Sequence, residues 1–468
     1  MAKRGVLLAI SSLPGHHGIG DFGNEAFLFI DWLKSQKYQY WQILPLNPLG
    51  PGNSPYMSTC SEAIDLRYIS LDKLTKSKCL KSIPKYMNNS KRVDYNIIFQ
   101  FKQTKLWEIF ESSLAKEVVA IQQFESKHEW LRKFAVFTAL QKKYSGACWN
   151  TWSDEDLNFD SRGCFPSGLE KECLFQEWCQ MVAYEQWEKV LQYAHQNHVK
   201  IIADCPFYVG LNSVDCWSHK DEFMLDQNYQ PTLVSGCPPD AFSDDGQLWG
   251  TPIYNFEKMQ ENGYEFLINR IYNLSKICDV LRLDHFRAFD TYYVIPAGDI
   301  NARRGEWKNG PKTNFFDKFY QQFPKISLIA EDLGELFPSV HELRDHYTLP
   351  GMYVTEFMVF DPNSTSNDNQ IVYPGTHDNQ TIKGWLRTLS SKDKTYLRKR
   401  LNAKGNLQDA FVKYTFKLPA KITIFPLQDL LGLDDSCRMN TPGTMGSPNW
   451  EWKLKNMSWV KKIIYPKK

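Results

Sequence analysis

The chain has 468 residues, of which 43% are hydrophobic and 23% are charged, and its formal net charge is +2. This length allows one large domain or two to four ordinary ones, and the composition is typical of a globular protein. A charge so close to neutral gives no electrostatic reason to bind nucleic acid or an acidic membrane surface. No apolar run approaches the roughly 20 residues of a membrane helix. We therefore expect neither nucleic acid nor a membrane as a partner.

The 11 cysteines are scattered, with no CxxC pair and no Cys/His spacing of a zinc site. An odd number of cysteines without a signal peptide is typical of reduced thiols in a cytosol. The first apolar run, 6–10, is too short for a secretory signal. We therefore predict a cytoplasmic protein, a monomer or homodimer, that uses no cofactor and no metal ion.

Eight apolar runs occur along the chain, and helical patterns such as 266–277 and 393–401 separate most of them. The runs lie at 6–10, 40–46, 200–207, 280–286, 326–331, 352–357, 371–373 and 422–427. Continuous apolar runs are typical of parallel strands buried on both faces. Eight strand–helix units predict an α/β protein with a (β/α)₈ TIM barrel, whose active site lies at the C-terminal strand ends.

Two long connections interrupt this alternation. Residues 71–188 have helical periodicity, with apolar stripes such as Trp130, Phe134 and Phe137 that we interpret as core. They predict a mainly helical insertion subdomain at about 50–190, after strand 2. Residues 210–260, after strand 3, are rich in turn formers and aromatic residues and predict an aromatic loop region. We expect residues 1–468 to form a single catalytic domain that includes both insertions.

The segment Gly18-Ile19-Gly20-Asp21-Phe22-Gly23 has the GxGxxG form. A dinucleotide site needs such glycines directly at a strand end and an acid at the end of the next strand. Here Pro14 separates strand and glycines, and no acid follows 40–46, so we interpret the segment as a turn before a helix at 24–35. The Pro/Gly loop 47–56 ends in Tyr56, which either presents its ring to a ligand or covers the core.

Acidic residues stand at the ends of four predicted strands, namely Asp204, Asp284, Glu331 and Asp378. The C-terminal ends of parallel strands meet on one face of a barrel, so we expect these carboxylates to share a cleft. A purely structural alternative for Asp284 is a buried ion pair with arginine at the barrel rim. Several acids at neighbouring strand ends are unusual in a structural core and favour a catalytic interpretation.

The two central acids are predicted to differ in protonation. Asp284 lies between Arg282 and Arg287 in sequence, and nearby cations lower the pKa of a carboxyl group, so we expect it to be ionised. Glu331 has no adjacent cation, so we expect a raised pKa. A retaining glycoside mechanism needs one carboxylate nucleophile and one proton-donating carboxyl, which suits Asp284 and Glu331 respectively.

The remaining polar groups fit the same chemistry. Asp378 is expected to bond sugar hydroxyls and to help distort the sugar ring. His285 and His377 stand beside acids, and either donates to a sugar hydroxyl or is a satisfied residue of the rim. A metal site is disfavoured because the sequence has no HxH or HExxH pattern.

At these residues the sequence resembles 4-α-glucanotransferases of the amylomaltase and disproportionating-enzyme type, a branch of the α-amylase clan. The matching segments keep the family order and span nearly the whole chain. They are Ser54-Pro55-Tyr56, Asp204-Cys205-Pro206, Pro238-Pro239-Asp240, Gly246-Gln247-Leu248-Trp249-Gly250, Arg282-Leu283-Asp284-His285-Phe286-Arg287, Glu331-Asp332-Leu333-Gly334, Gly375-Thr376-His377-Asp378-Asn379 and Arg438-Met439-Asn440-Thr441-Pro442-Gly443.

The resemblance implies that Asp284 is the nucleophile, Glu331 the general acid/base and Asp378 the acid that stabilises the transition state. Further positions are expected to bind substrate. They are Arg282, His285, His377, Tyr56, Asp204, Trp249, Asp240 and Asn379. The implied substrate is a maltooligosaccharide or a glycogen- or starch-type glucan, whose α-1,4-linked segments are passed to an acceptor glucan or glucose. The alternatives are an α-glucan hydrolase and a glucan-binding protein without catalysis.

Overall fold

The structure, a computed structural model, describes residues 2–77, 91–161, 164–239 and 244–463. Its strands are β1 (Lys3–Leu7), β2 (Tyr40–Gln42), β3 (Lys200–Cys205), β4 (Leu233–Cys237), β5 (Gln247–Pro252), β6 (Val280–Leu283), β7 (Thr291–Pro296), β8 (Glu306–Asn309), β9 (Leu328–Ala330), β10 (Gly351–Val354), β11 (Gln370–Tyr373) and β12 (Ile422–Pro426).

Its helices are α1 (Asn24–Ser35), α2 (Leu71–Ser77), α3 (Tyr95–Glu125), α4 (Trp130–Lys143), α5 (Asp154–Leu157), α6 (Glu170–Gln196), α7 (Val214–Ser218), α8 (Phe256–Glu261), α9 (Glu265–Ser275), α10 (Lys312–Gln322), α11 (Pro338–His346), α12 (Thr355–Met358), α13 (Ile382–Thr388), α14 (Ser391–Arg400), α15 (Leu407–Thr415) and α16 (Leu427–Leu430). Within the described ranges no helix is both long enough and apolar enough to cross a membrane.

Eight parallel strands form a barrel in the order β1-β2-β3-β6-β9-β10-β11-β12, and β12 pairs again with β1. Between β9 and β10 the amide of Ala330 donates to the carbonyl of Pro350 at 2.9 Å, which brings the two ends of the sheet together. Neighbouring strands in space are therefore consecutive barrel strands in sequence. The predicted (β/α)₈ TIM barrel is confirmed.

Several strands are shorter than, or displaced from, the apolar runs that predicted them. The first strand is Lys3–Leu7, and Ile10–Ser12 forms a 3₁₀ turn although 6–10 was predicted as strand. Strand β6 ends at Leu283, and Thr355–Met358 is helical rather than extended. Residues beyond a strand end are buried under the loops of the rim, as Leu8 and Ile10 are. An apolar run records this burial and not strand pairing.

The barrel interior is filled by side chains from alternate positions of its strands. They include Leu7, Tyr40, Ile202, Ile329, Met352, Val354, Ile371, Tyr373, Ile422 and Ile424. Near the mouth of the barrel the interior becomes polar, since the hydroxyl of Tyr373 donates to Oε1 of Gln42 at 2.9 Å. Strands β1 and β2 approach closely at Gly5, where a Cβ would meet the side chain of Tyr40.

Helices α2 to α6 make up the connection between β2 and β3, as the helical periodicity predicts. Helices α3 and α4 pack against α6, whose C-terminal end leads into β3. Trp130, Phe134 and Phe137 are buried, as expected of core residues. The hydrophobic core is continuous between these helices and those that surround the barrel.

A second, antiparallel sheet has the strand order β5-β4-β7-β8. The prediction of a loop region for 210–260 is therefore wrong in part, because β4, β5 and the short helices α7 and α8 lie in it. The pairing of β4 with β5 is interrupted between Val234 and Gly236, so no regular alternation marks these strands. The partner strand β7 follows β6 of the barrel, and such distant pairing is invisible to local patterns.

The GxGxxG segment is a turn that leads into α1, as we interpreted it. A Cβ at Gly20 would collide with the carbonyl of Ile10, so glycine is required there by packing. Asp21 accepts hydrogen bonds from the amide of Gly23 and from Nζ of Lys102, both at 3.0 Å. Lys102 lies on α3 and is fully buried, so it links the helical insertion to this turn.

The ion pair between Lys102 and Asp21 generates a stability prediction. We expect Lys102→Met to lower the free energy of unfolding by about 3–5 kcal/mol, because the carboxylate is left buried without its cation. Urea denaturation followed by tryptophan fluorescence measures this loss. The control is Lys105→Met on the same helix, where the cation pairs with Glu108 near the surface and about 0–1 kcal/mol is expected. Equal losses in the two variants would contradict the assignment.

Candidate active site

Four acidic side chains meet at the C-terminal rim of the barrel. Asp204 lies in β3, and Asp284, Glu331 and Asp378 follow β6, β9 and β11. Neighbouring strand ends are tied by backbone hydrogen bonds, since the amide of Asp284 donates to Cys205 O and the amide of Glu331 to Leu283 O, both at 3.0 Å. The barrel therefore brings together the acids that the sequence placed at strand ends.

Arg282 connects two of these acids. Its Nη1 donates to Oδ1 of Asp204 at 2.6 Å and to Oδ1 of Asp284 at 2.8 Å. The hydroxyl of Tyr56 donates to the other oxygen of Asp204 at 2.7 Å. The Arg282 and Asp204 side chains are buried, whereas that of Asp284 keeps 29% of its surface exposed. Asp284 is thus fixed by a cation and still faces the cleft.

The expectation that two arginines flank Asp284 is wrong. His285 has a φ of 51°, in the left-handed region, so the chain turns away directly after Asp284. The guanidinium of Arg287 stacks on Trp307 at 3.9 Å from the ring centre and donates to Glu335 O at 2.6 Å. Burial raises the pKa of Asp284 above its ordinary value, and the charge of Arg282 opposes this rise. The predicted lowering of this pKa is therefore also wrong.

Glu331 is held by backbone amides. Its Oε2 accepts from the amide of His285 at 2.8 Å, and its Oε1 accepts from the amide of Leu333 at 3.2 Å. Burial raises the pKa of Glu331, and the negative charge of Asp284 raises it further. The predicted rise is confirmed. Of the two carboxyls, only Asp284 accepts a hydrogen bond from Arg282, and this contact favours the ionised form of Asp284.

The neighbouring acid Asp332 has a structural role. Its Oδ2 pairs with Arg344 at 2.5 Å and its Oδ1 accepts from the amide of Met352 at 2.7 Å. These contacts tie the end of β9 to β10 and α11. Of the two consecutive acids after β9, Glu331 is therefore the one that points to Asp284.

Asp378 is held by the C-terminal part of the chain. Its Oδ1 accepts from Nδ2 of Asn440 at 2.6 Å, and its carbonyl accepts from Arg438 at 2.5 Å. Nε2 of His377 lies 3.3 Å from Oδ2. Asn379, expected to contact substrate, uses Oδ1 to accept from the amide and the hydroxyl of Thr376 at 2.8 and 2.9 Å. In this structure Asn379 shapes the loop that carries Asp378.

Two groups of aromatic rings border the acids. Tyr56 stacks on His377 with ring centres 5.3 Å apart and planes at 13°, and Trp450 lies 5.6 Å from Tyr56 and 5.9 Å from His377. Tyr56 is half-buried, so it combines the two alternatives that the sequence left open for it. Its hydroxyl holds an acid while part of its ring remains accessible at the cleft.

The second aromatic group surrounds His285. Trp249 on β5 meets the His285 ring edge-on at 4.9 Å, and Tyr208 lies 6.1 Å from the same ring. Burial and the charge of Arg287 lower the pKa of His285 to about 3, so its imidazole is neutral. The small sheet thus delivers Trp249 to the edge of the acid cluster.

Asp240, also expected to bind substrate, lies outside the described residues. Arg438, Asn440 and Trp450 border the site but were not among the predicted site residues. The motif 438–443 was a signal for the first two, because a polar loop follows the last strand there. No local sequence pattern marks Trp450 as a residue of the site. Among the residues that the structure describes, no three His, Cys, Asp or Glu side chains are placed to hold a metal ion.

The chain matches a known family over nearly its whole length. The family model described as 4-alpha-glucanotransferase matches residues 8–458. The 4-alpha-glucanotransferase of Synechocystis sp. is 36% identical over 96% of this chain and 93% of its own length. That of Aquifex aeolicus is 35% identical over 99% of both chains.

A solved structure agrees with these matches. The amylomaltase from Streptococcus agalactiae in complex with acarbose superimposes with a TM-score of 0.92 at 31% identity, over 99% of this chain and 98% of that one. The resemblance that the motifs indicated is thereby confirmed along the entire barrel and its insertions. The chain belongs to the 4-alpha-glucanotransferase family of enzymes.

Proposed function

We propose that this enzyme moves segments of α-1,4-glucan from a donor to an acceptor glucan or glucose by a retaining double displacement. The observation that carries this proposal is the pair Asp284 and Glu331. Both carboxyls are half-buried, they lie at adjacent strand ends, and they differ in that only Asp284 is bound by a cation. A retaining mechanism needs such a pair of unequal carboxyl groups.

In the first step Asp284 attacks the anomeric carbon of the donor glucosyl unit. Glu331 gives its proton to the glycosidic oxygen, so the leaving glucan departs with a new 4-hydroxyl and a covalent glucosyl-enzyme remains. In the second step the 4-hydroxyl of the acceptor gives its proton to Glu331 while its oxygen displaces Asp284. Two inversions at the same carbon retain the α-configuration.

Asp378 acts as the third acid. Its side chain is 41% exposed, which leaves it accessible to sugar hydroxyls in the cleft. Asn440 holds Oδ1 of Asp378. The other oxygen, Oδ2, lies 3.3 Å from Nε2 of His377. Hydrogen bonds to ring hydroxyls that strengthen as the sugar distorts lower the barrier of both steps.

Transfer requires that a sugar hydroxyl, and not water, reaches the glucosyl-enzyme. Trp249 meets His285 edge-on, beside the two central acids, and its half-buried ring offers an apolar face on which an acceptor ring stacks. Excluding water from this edge favours the acceptor over hydrolysis. We also propose that the donor side is defined by Tyr56 and the groups beside it, namely Asp204, Arg282 and His377.

All these groups come from one chain and one continuous core. We therefore infer that residues 1–468 work as a single catalytic domain, in which the helical insertion and the small sheet build the walls of the cleft. A monomer suffices for the reaction.

The substrates are maltooligosaccharides and glycogen- or starch-type glucans, in agreement with the names of the relatives.

The acid/base assignment predicts the effect of Glu331→Gln. We expect kcat on maltotriose to fall on the order of 10²–10⁴-fold, because the leaving oxygen no longer receives a proton. Asp284→Asn is expected to lose about 10⁴-fold or more. Chromatography of longer oligosaccharides and of glucose measures both. The control Glu335→Gln changes an exposed residue of the same loop and keeps wild-type activity. An active Asp284→Asn enzyme would overturn the mechanism.

The raised pKa values predict a displaced pH profile. The rate rises as Asp284 loses its proton and falls as Glu331 loses its own. Burial raises both pKa values, so both limbs of kcat/KM lie above the ordinary values of 3.8 and 4.5. With α-glucosyl fluoride, whose fluoride leaves without a proton, glucosylation of Glu331→Gln keeps the acid limb and loses the alkaline one. An acid limb near 3.8 would contradict this prediction.

The acceptor role of Trp249 separates a transferase from a hydrolase. We expect Trp249→Leu to raise the ratio of hydrolysis to transfer roughly fivefold, the equivalent of about 1 kcal/mol of lost ring contact. The ratio is obtained from glucose release and from the ladder of longer glucans formed from maltotriose. Leu248→Ala, at the exposed neighbouring position, is the control and leaves the ratio unchanged. A wild-type enzyme that forms no products longer than maltotriose would favour the hydrolase alternative.

A further inference from the structure

A small cavity lies beneath the loop that carries Asp378. It is lined by the loop 376–381, by residues that follow β12 and by Arg438 and Met439. Two of its lining side chains, His377 and Gln428, are only 5% and 6% exposed. Nδ1 of His377 and Oε1 of Gln428 have no hydrogen-bond partner in the part of the chain that the structure describes. Two side chains that line one cavity therefore each carry a buried polar atom without a partner.

Other polar groups around this cavity are already engaged. Asp429 accepts from the amide of Ile382 at 2.7 Å, and the Gln380 amide donates to Asp435 at 2.7 Å. The amide nitrogen of Gln428 donates to a backbone carbonyl, that of residue 437, at 3.3 Å. This bond engages the nitrogen end of the Gln428 amide and leaves its oxygen end without a partner. Its free Oε1 is an acceptor, so it needs a donor there.

The His377 ring is held so that its two nitrogens have different surroundings. Tyr56 stacks on one face, and Trp450 packs nearby. Nε2 lies 3.3 Å from Oδ2 of Asp378, whereas Nδ1 is buried and unpaired. The group that binds Nδ1 therefore decides whether Nε2 carries a proton toward Asp378.

We propose that this cavity is a buried hydration site, and that Gln428 is a positioning residue that acts through its water on His377. The proposal rests on the proposed function, in that it concerns the acid and the histidine of the glucan cleft. Buried waters occupy polar cavities in which they find two to four partners. A water here donates one proton to Oε1 of Gln428 and the other to Nδ1 of His377.

This arrangement places the ring proton of His377 on Nε2. The N–H then points at Oδ2 of Asp378, which it orients for the sugar ring. Without the acceptor at Gln428 the water is no longer fixed, and the proton is free to move to Nδ1. An unprotonated Nε2 would then face the carboxylate of Asp378 with a lone pair. The loss falls on transition-state stabilisation and not on the stacking contacts that bind the glucan.

The variant Gln428→Met tests this role, because methionine has nearly the same length and offers no strong acceptor. We expect kcat for transfer from maltotriose to fall about tenfold with KM unchanged. The matched control is Gln186→Met. Gln186 is buried to the same extent, and both ends of its amide bond the backbone of Ser70, far from the cleft. Its loss lowers stability but leaves kcat unchanged.

Two further measurements keep the proposal testable if Gln428→Met does not fold. A high-resolution crystal structure of the wild type should show a water within hydrogen-bond distance of both Gln428 and His377. The ¹⁵N shifts of the His377 ring, assigned by the signal lost in His377→Gln, should report protonated Nε2. A dry cavity, a protonated Nδ1 or an unchanged kcat in Gln428→Met would overturn the proposal. If the wild type itself makes no products longer than maltotriose, the proposed function fails instead.

Discussion

The buried guanidinium of Arg282 is the group on which the arrangement of the acids depends. Strands β3 and β6 pair so that Asp204 lies directly beside Arg282, and Asp284 follows two residues later on the same face. A cation buried in the barrel mouth must be paired, and the strand register supplies both partners. Removing the charge would leave the buried carboxylate of Asp204 beside that of Asp284 without a cation between them, so the geometry of the cleft depends on Arg282.

One cation for two central carboxyls also explains the division of roles that we propose for Asp284 and Glu331. Burial alone would favour the neutral form of both Asp284 and Glu331. Of these two carboxyls, only Asp284 accepts a hydrogen bond from Arg282, whereas Glu331 accepts from backbone amides. In the mechanism that we propose, this difference in partners, and not a difference in residue type, assigns the attack to Asp284 and the proton to Glu331.

The sequence predicted those parts of the site that are set locally. An apolar run followed by an acid places Asp284, Glu331 and Asp378 at strand ends whatever the rest of the fold does. The pKa of Asp284 was predicted in the wrong direction because burial is a tertiary property. The orientation of Arg287 depends on the left-handed turn at His285. No glycine stands at or beside this position to indicate such a turn in the sequence.

The small sheet and the C-terminal segment were less accessible to prediction for another reason. Strands β4 and β5 pair with β7, beyond the barrel strand β6, so their pattern is completed by distant residues. The same holds for Asn440 and Trp450, which come from the chain after the last barrel strand. Local periodicity contains no information about which distant loop will lie against a strand end.

That C-terminal segment shows why eight strand–helix units are not sufficient for the site. After β12 the chain returns across the mouth of the barrel, where the amide of Leu454 donates to Ser12 O at 2.8 Å. The returning segment places Asn440 against the carboxylate of Asp378, and it places Trp450 beside His377. Asp284 and Glu331 are therefore fixed by adjacent strands, while Asp378 is fixed by a segment that must first close over the rim. The cleft around Asp378 is complete only when the segment after β12 has packed against the turn that follows β1.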